Sequence, residues 1–141
     1  MFKKGEIVYH DDLVFIDGVK DPKKGRPCIV LFELVVGTVP SVLTCPVTSN
    51  MKGFNKCPDN YLLVPSTLYH YHKLSFAKTD NFVIKPLSQT HSEGIYVSED
   101  FVDKIIDRLK CSEREEYEIL KNYIFGQENK VEKSYQKIKL K

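Results

Sequence analysis

Long hydrophobic runs are missing from this chain. Its densest apolar stretch, Cys28-Ile29-Val30-Leu31-Phe32, is five residues long, whereas a membrane-spanning helix needs about 20. The opening Met-Phe-Lys-Lys-Gly-Glu puts charge and glycine where a secretory signal places an apolar segment. A soluble, cytoplasmic protein that does not engage membranes is therefore expected. Glycine and proline are modest at seven each, and aromatics make up 11%, so collagen-like and wholly disordered classes are excluded. A surplus of one charge is missing too: 21 basic against 19 acidic residues leave +2. The four cysteines, at 28, 45, 57 and 111, form no Cys-x-x-Cys pair and read as reduced thiols, two of them inside apolar runs. No Gly-rich phosphate loop, paired-carboxylate motif or Gly-x-Ser-x-Gly appears, which removes support for nucleoside-triphosphate and serine-hydrolase chemistry.

What is present reads as one domain of 141 residues, long enough to bury about 68–70% of its unfolded surface without disulfides or metal. Strand-like runs fill the first two thirds: Gly5–Tyr9, the short Leu13–Ile16, Pro27–Val36, Ser41–Thr48, Tyr61–Pro65 and Asn81–Leu87. Pro27–Val36 is nearly continuous in apolarity and reads as a central strand buried on both faces. Gly37-Thr38-Val39-Pro40 reads as a turn and Asn50–Asn60 as a loop. The period then changes. Ser98 is a candidate N-cap, and Phe101, Val102, Ile105, Ile106 and Leu109 recur at helical spacing. Ser112-x-x-Glu115 matches a capping box for a second helix carrying Tyr117, Leu120, Tyr123 and Ile124, with Gly126 as its stop. The pattern predicts an α+β, mostly β domain over 1–125, in which a small bent sheet or barrel (about 1–97) carries helices (about 98–125). A tail, 126–141, follows. Within it, residues 127–141 hold five lysines and two glutamates, leaving the other residues at −1. Such an end is a solvated tail or a nucleic-acid-binding arm.

Two segments carry the chemistry. Gly25-Arg26-Pro27-Cys28-Ile29-Val30-Leu31 sets an arginine at the mouth of a buried strand, where Pro27 fits a first strand position. Thr44-Cys45-Pro46-Val47-Thr48-Ser49 ends the next strand in hydroxyls. If the two strands are antiparallel neighbours, Arg26 faces Thr48 and Ser49. A planar guanidinium with five donors beside hydroxyls then makes a small patch suited to a phosphodiester.

In these residues the chain resembles the MazF/PemK family of toxin endoribonucleases from bacterial toxin–antitoxin pairs. The likeness covers roughly residues 4–50. It consists of Gly5-Glu6-Ile7-Val8, the loop Asp11–Lys24, the Gly-x-Arg-Pro-(apolar)₄ strand from Gly25, and Val47-Thr48-Ser49. The resemblance implies a small SH3-like barrel of the MazF/PemK/CcdB kind with C-terminal helices, usually a homodimer. It implies metal-independent cleavage of single-stranded RNA with the 2′-hydroxyl as nucleophile and no cofactor, and assigns catalysis to Arg26 and Thr48. It also implies an acidic antitoxin, encoded in a neighbouring frame that carries a DNA-binding fold. Lys23, Lys24 and Ser49 are the nearby RNA-binding candidates. Lys85 stands in Asn81-Phe82-Val83-Ile84-Lys85-Pro86, where many members carry Arg-Thr-(apolar)-Asp. Lysines such as Lys20, Lys23 and Lys24 in this loop are more often solvated than phosphate contacts, though counterion release makes each useful on RNA. Rival readings are a non-catalytic binding module on the same barrel, or a toxin of this fold acting on a protein. Tyr69-His70-Tyr71-His72 could stack on bases or lie in a loop; with only Cys57 and His91 as lone companions it builds no metal site.

Overall fold

The structure is a computed structural model and describes residues 2–12, 26–49, 51–65 and 75–126. Leu13–Ile16, Lys20, Lys23, Lys24, Tyr69–His72 and the lysine-rich end lie outside these residues.

Among the described residues, alternating and apolar runs form seven strands: β1 (Glu6–His10), β2 (Cys28–Val36), β3 (Val39–Thr48), β4 (Tyr61–Leu63), β5 (Phe76–Lys78), β6 (Val83–Pro86) and β7 (Thr90–Tyr96). Every pairing described is antiparallel. The order is β4-β5-β3-β2-β1-β7, with β6 also paired to β3. The fold is thus α+β and dominated by an antiparallel sheet. Among the described residues its pairing path is open, ending at β4 and β7.

β2 lies between β1 and β3, as its apolarity predicts. Its burial on both faces holds for Cys28–Leu31 only. A bulge between Val30 and Phe32 inserts one extra residue, so Leu31 and Phe32 both face the main core. Beyond it Leu34 and Val36 face inward while Glu33 and Val35 are exposed. The turn before β3 is shorter than Gly37–Pro40, because Val36 already pairs with Val39.

The sheet buries both faces. On the first, Ile7, Ile29, Leu31, Leu43, Cys45, Val47 and Ala77 meet the stripe Phe101, Val102, Ile105, Ile106 and Leu109 of α2 (Glu99–Cys111). Ser98 caps α2 by accepting from Phe101 N at 3.3 Å. Glu99 and Asp100 lie at its positive end, and Arg108 and Lys110 at its negative end. On the second face Val8, Cys28, Val30, Val42 and Val83 form a smaller cluster under Phe2 and Leu87. Gly5 joins the two layers. At φ +89° its Cα sits so near Val97 that a Cβ would meet the carbonyl oxygen at 2.6 Å.

Two local expectations need correction. Asn50–Asn60 is not simply a loop: it contains α1 (Met51–Lys56) and a 3₁₀ turn, Pro58–Asn60. Gly53 lowers helix propensity there, but Phe54 stacks on buried Phe76 with centroids 4.5 Å apart, and that contact prevails. Ser112 does not cap the last helix. It ends α2 and accepts locally from Arg114 N at 3.3 Å. A 3₁₀ turn, Glu115–Tyr117, precedes α3 (Glu118–Phe125) because Tyr117 is drawn into the core. Its hydroxyl accepts from Phe82 N at 3.0 Å and donates to Asp80 O at 2.6 Å. Gly126 ends α3 as expected, in right-handed helical conformation. β5 and β7 escaped the sequence pattern: one is three residues long, the other is broken by Ser92 and Gly94 and held by pairing with β1.

Candidate functional site: the Arg26 end of the sheet

Pairing places the two key residues together. Cys28 opposes Pro46, and Val47 N donates to Pro27 O at 2.9 Å, so the next pair outward is Arg26 and Thr48. The Arg26 guanidinium donates through Nη1 to Val47 O at 3.2 Å, which ties it to the end of β3. Thr48 is buried at 7% exposure, and Arg26 and Ser49 are half-buried. The juxtaposition expected from the sequence is therefore present for Arg26, Thr48 and Ser49.

Lys85 is not part of that patch. It pairs with Val42, and the six-residue stretch from there to Thr48 spans about 20 Å of strand. It acts instead on His10. The ring of His10 is enclosed between Thr90 Oγ1, 2.9 Å from Nδ1, and Thr44 Oγ1, 2.8 Å from Nε2. Thr90 itself donates to Pro86 O at 3.0 Å, so it accepts from Nδ1–H. Nε2 is then the acceptor of the Thr44 hydroxyl. Burial, and then the Lys85 charge, lower the His10 pKa to about 4; Asp11 opposes them weakly and His91 adds to them. His10 is a neutral imidazole at physiological pH.

Sequence reasoning missed the third side of the patch. Tyr61 pairs with Lys78, and Lys78 lies next to Ala77, which pairs with Val47. By strand alternation Thr48, Phe76 and Tyr61 share the second face, while Val47, Ala77 and Leu62 point into the main core. α1 lies over this end, with Phe54 stacked on Phe76 and both rings edge-on to Tyr61 at 6.5 and 6.4 Å. The Tyr61 hydroxyl rests on Gly53, where a Cβ would come within 2.0 Å of it. Burial, Asp80 and Cys57 raise the Tyr61 pKa, and the Arg26 charge pulls it down. Spacing of Gly53 and Phe54 after a strand end was the available signal, but it needs the fold to be read.

Elsewhere, a cleft of ≈ 540 Å³ lies between the Pro58–Asn60 turn and the α2–α3 link, lined in part by Asp59, Thr79, Arg108, Cys111 and Arg114. It gathers none of the sequence-predicted residues. Its arginines brace the fold: Arg108 donates to Asp59 O, and Arg114 to Asp80 O and Asn81 Oδ1. Cys28 and Cys45 are buried thiols outside any disulfide, and burial pushes the Cys45 pKa well up. Among the described residues no three His, Cys, Asp or Glu side chains converge as metal ligands, and no helix is long and apolar enough to cross a membrane. The chain matches no protein-family model and no curated protein.

Proposed function

We propose that the protein is a metal-independent endoribonuclease of the toxin type, on an SH3-like barrel, acting on single-stranded RNA. The observation that carries this reading is the pairing of Arg26 with Thr48 at the open end of β2 and β3. The 2′-hydroxyl attacks the adjacent phosphorus, and the P–O5′ bond breaks. One product then ends in a 2′,3′-cyclic phosphate and the other in a 5′-hydroxyl. Arg26 stabilises the charge that grows on the phosphoryl oxygens, and Thr48 hydrogen-bonds one of them. No ion is required, because the guanidinium supplies the positive charge. The working form is a homodimer whose RNA groove an acidic, flexible antitoxin covers.

The test is cleavage of single-stranded RNA in EDTA with mapping of the ends. Arg26→Ala loses about 10²–10³-fold in rate, the range for a lost transition-state donor. Thr48→Ser retains more activity than Thr48→Ala. Wild-type rates in Arg26→Ala refute the assignment. Light scattering at a mass near 16.3 kDa refutes the dimer.

One observation favours a second reading. β6 supplies Lys85 but no carboxylate, so a proton acceptor is not evident on that strand, and a module that binds RNA without cutting it fits the same patch. RNA binding with intact RNA recovered would select it.

A further inference from the structure

We propose that the Tyr61 hydroxyl is a third contact to the RNA backbone, donating a hydrogen bond to the phosphate that Arg26 and Thr48 hold. This assignment rests on the RNA reading of that patch and adds a residue that no sequence motif marks.

Three observations meet at Tyr61. The first is placement. Tyr61 stands on the same sheet face as Thr48, with only β5 between their strands. Neighbouring strands lie about 4.8 Å apart, so β4 is about 10 Å from β3 and about 14 Å from the line of β2, a span that a tyrosine, a phosphate and an arginine side chain together bridge; the Arg26 charge already acts on the Tyr61 hydroxyl across it. The second is fixation. The ring is held edge-on by Phe54 and Phe76, and the hydroxyl is seated on Gly53, where any larger residue would displace it. Gly53 has an ordinary backbone conformation, with no positive φ. Its lack of a side chain therefore serves the tyrosine rather than the helix. The third is availability. Among the described residues none hydrogen-bonds this hydroxyl, and it is not among the sealed, unpartnered polar atoms. A phenol that is fixed, reachable by water and without a hydrogen-bond partner among the described residues is a donor open to an acceptor. Its raised pKa keeps the proton on through the working range of an RNA assay.

The ring alone would also offer a stacking surface for a base. The hydroxyl distinguishes the two roles, because phenylalanine keeps the ring and its packing while removing the donor.

The experiment measures binding of a fluorescent single-stranded oligonucleotide with 2′-O-methyl riboses, which has no nucleophile and is not cut. Fluorescence anisotropy compares the full-length wild type with Tyr61→Phe, Gly53→Ala, their double variant and Arg26→Ala. A lost hydrogen bond to a charged group corresponds to about ten- to hundredfold weaker binding, expected for Tyr61→Phe at an unchanged urea midpoint. Gly53→Ala loses a similar factor by pushing the hydroxyl away, and it loses nothing further in the Tyr61→Phe background. If Tyr61→Phe binds as wild type while Arg26→Ala does not, the tyrosine assignment falls and the RNA reading stands. If wild type binds this oligonucleotide but leaves unmodified RNA intact in EDTA, the cleavage reading falls, and the Tyr61→Phe ratio still decides the tyrosine. If wild type neither binds nor cleaves, both fall.

Discussion

Acid should weaken this protein through one residue. His10 is 7% exposed and bridges Thr90 and Thr44 as a neutral ring. Its pKa is about 4 folded, against 6.5 for the free side chain. Below pH 6.5 the unfolded chain takes a proton that the folded chain refuses, so the unfolded state binds more protons and stability falls as pH falls. The loss begins near pH 6.5 and is complete once the folded protein also protonates, near pH 4. About 2.5 pH units at 1.36 kcal/mol each amount to roughly 3 kcal/mol, a large share of the 5–15 kcal/mol typical of a domain. Protonation would also remove the acceptor at Nε2 and set a cation in the field of Lys85 and His91, with only Asp11 opposing. Carboxylates titrate in the same window, so the measurement is a difference. Urea unfolding of wild type and His10→Gln at pH 7.5, 6.5, 5.5, 4.5 and 4 isolates the histidine. Wild type starts ahead by about 1–3 kcal/mol for the hydrogen bonds the shorter amide cannot span. That lead shrinks, and reverses, by roughly 3 kcal/mol toward pH 4. A lead independent of pH would refute the buried neutral imidazole.

Other outcomes follow from single contacts. Tyr117→Phe strands the Phe82 amide and takes one of two donors from the Asp80 carbonyl, which Arg114 still serves, and it lowers the stability measured in urea by about 1–3 kcal/mol. Gly5→Ala forces a Cβ against the Val97 carbonyl and a side chain into positive φ, so its melting temperature falls well below wild type. Ser98→Ala removes the cap from α2 at about 1 kcal/mol; an unchanged urea midpoint would show that the cap carries nothing. Ile105→Ala empties a fully buried site on α2 at about 2–5 kcal/mol, read by the same denaturation.

The elements legible in the sequence are those whose own pattern decides them. β2 and β3 carry long runs rich in β-branched and other apolar residues, and α2 carries a complete apolar stripe with its cap. The Arg26–Thr48 pairing was legible as well, because an antiparallel hairpin between consecutive strands dictates which ends meet. β5 and α1 were not. Three and six residues hold too little period to signal anything, and both exist through Phe54 and Phe76, side chains 22 positions apart that meet only after folding. Tyr61 stayed hidden for the same reason: its strand was recognised, but its neighbour Gly53 lies on an element that tertiary contact creates. Ser112 shows the opposite failure, a correct local motif overridden by the pull of Tyr117 into the core.

The outer edge of β3 is shared. Its first half pairs with β6 and its last two residues with β5, so β4 and β5 extend the sheet from the end of β3 alone. The β4–β5 pair is a branch that meets β3 at two register positions among the described residues, so few pairings offset the entropy of bringing sequence-distant segments together. It can therefore open without the β2–β3 hairpin parting, as a separate cooperative unit of lower stability. Amides of β4 and β5 should exchange with deuterium well before those of β2. Tyr61 rides on the branch, whereas Arg26 is anchored to the trunk. The two sides of the patch thus belong to parts of the molecule with different lifetimes, and a ligand that touches both would slow exchange in the branch while leaving the trunk unchanged.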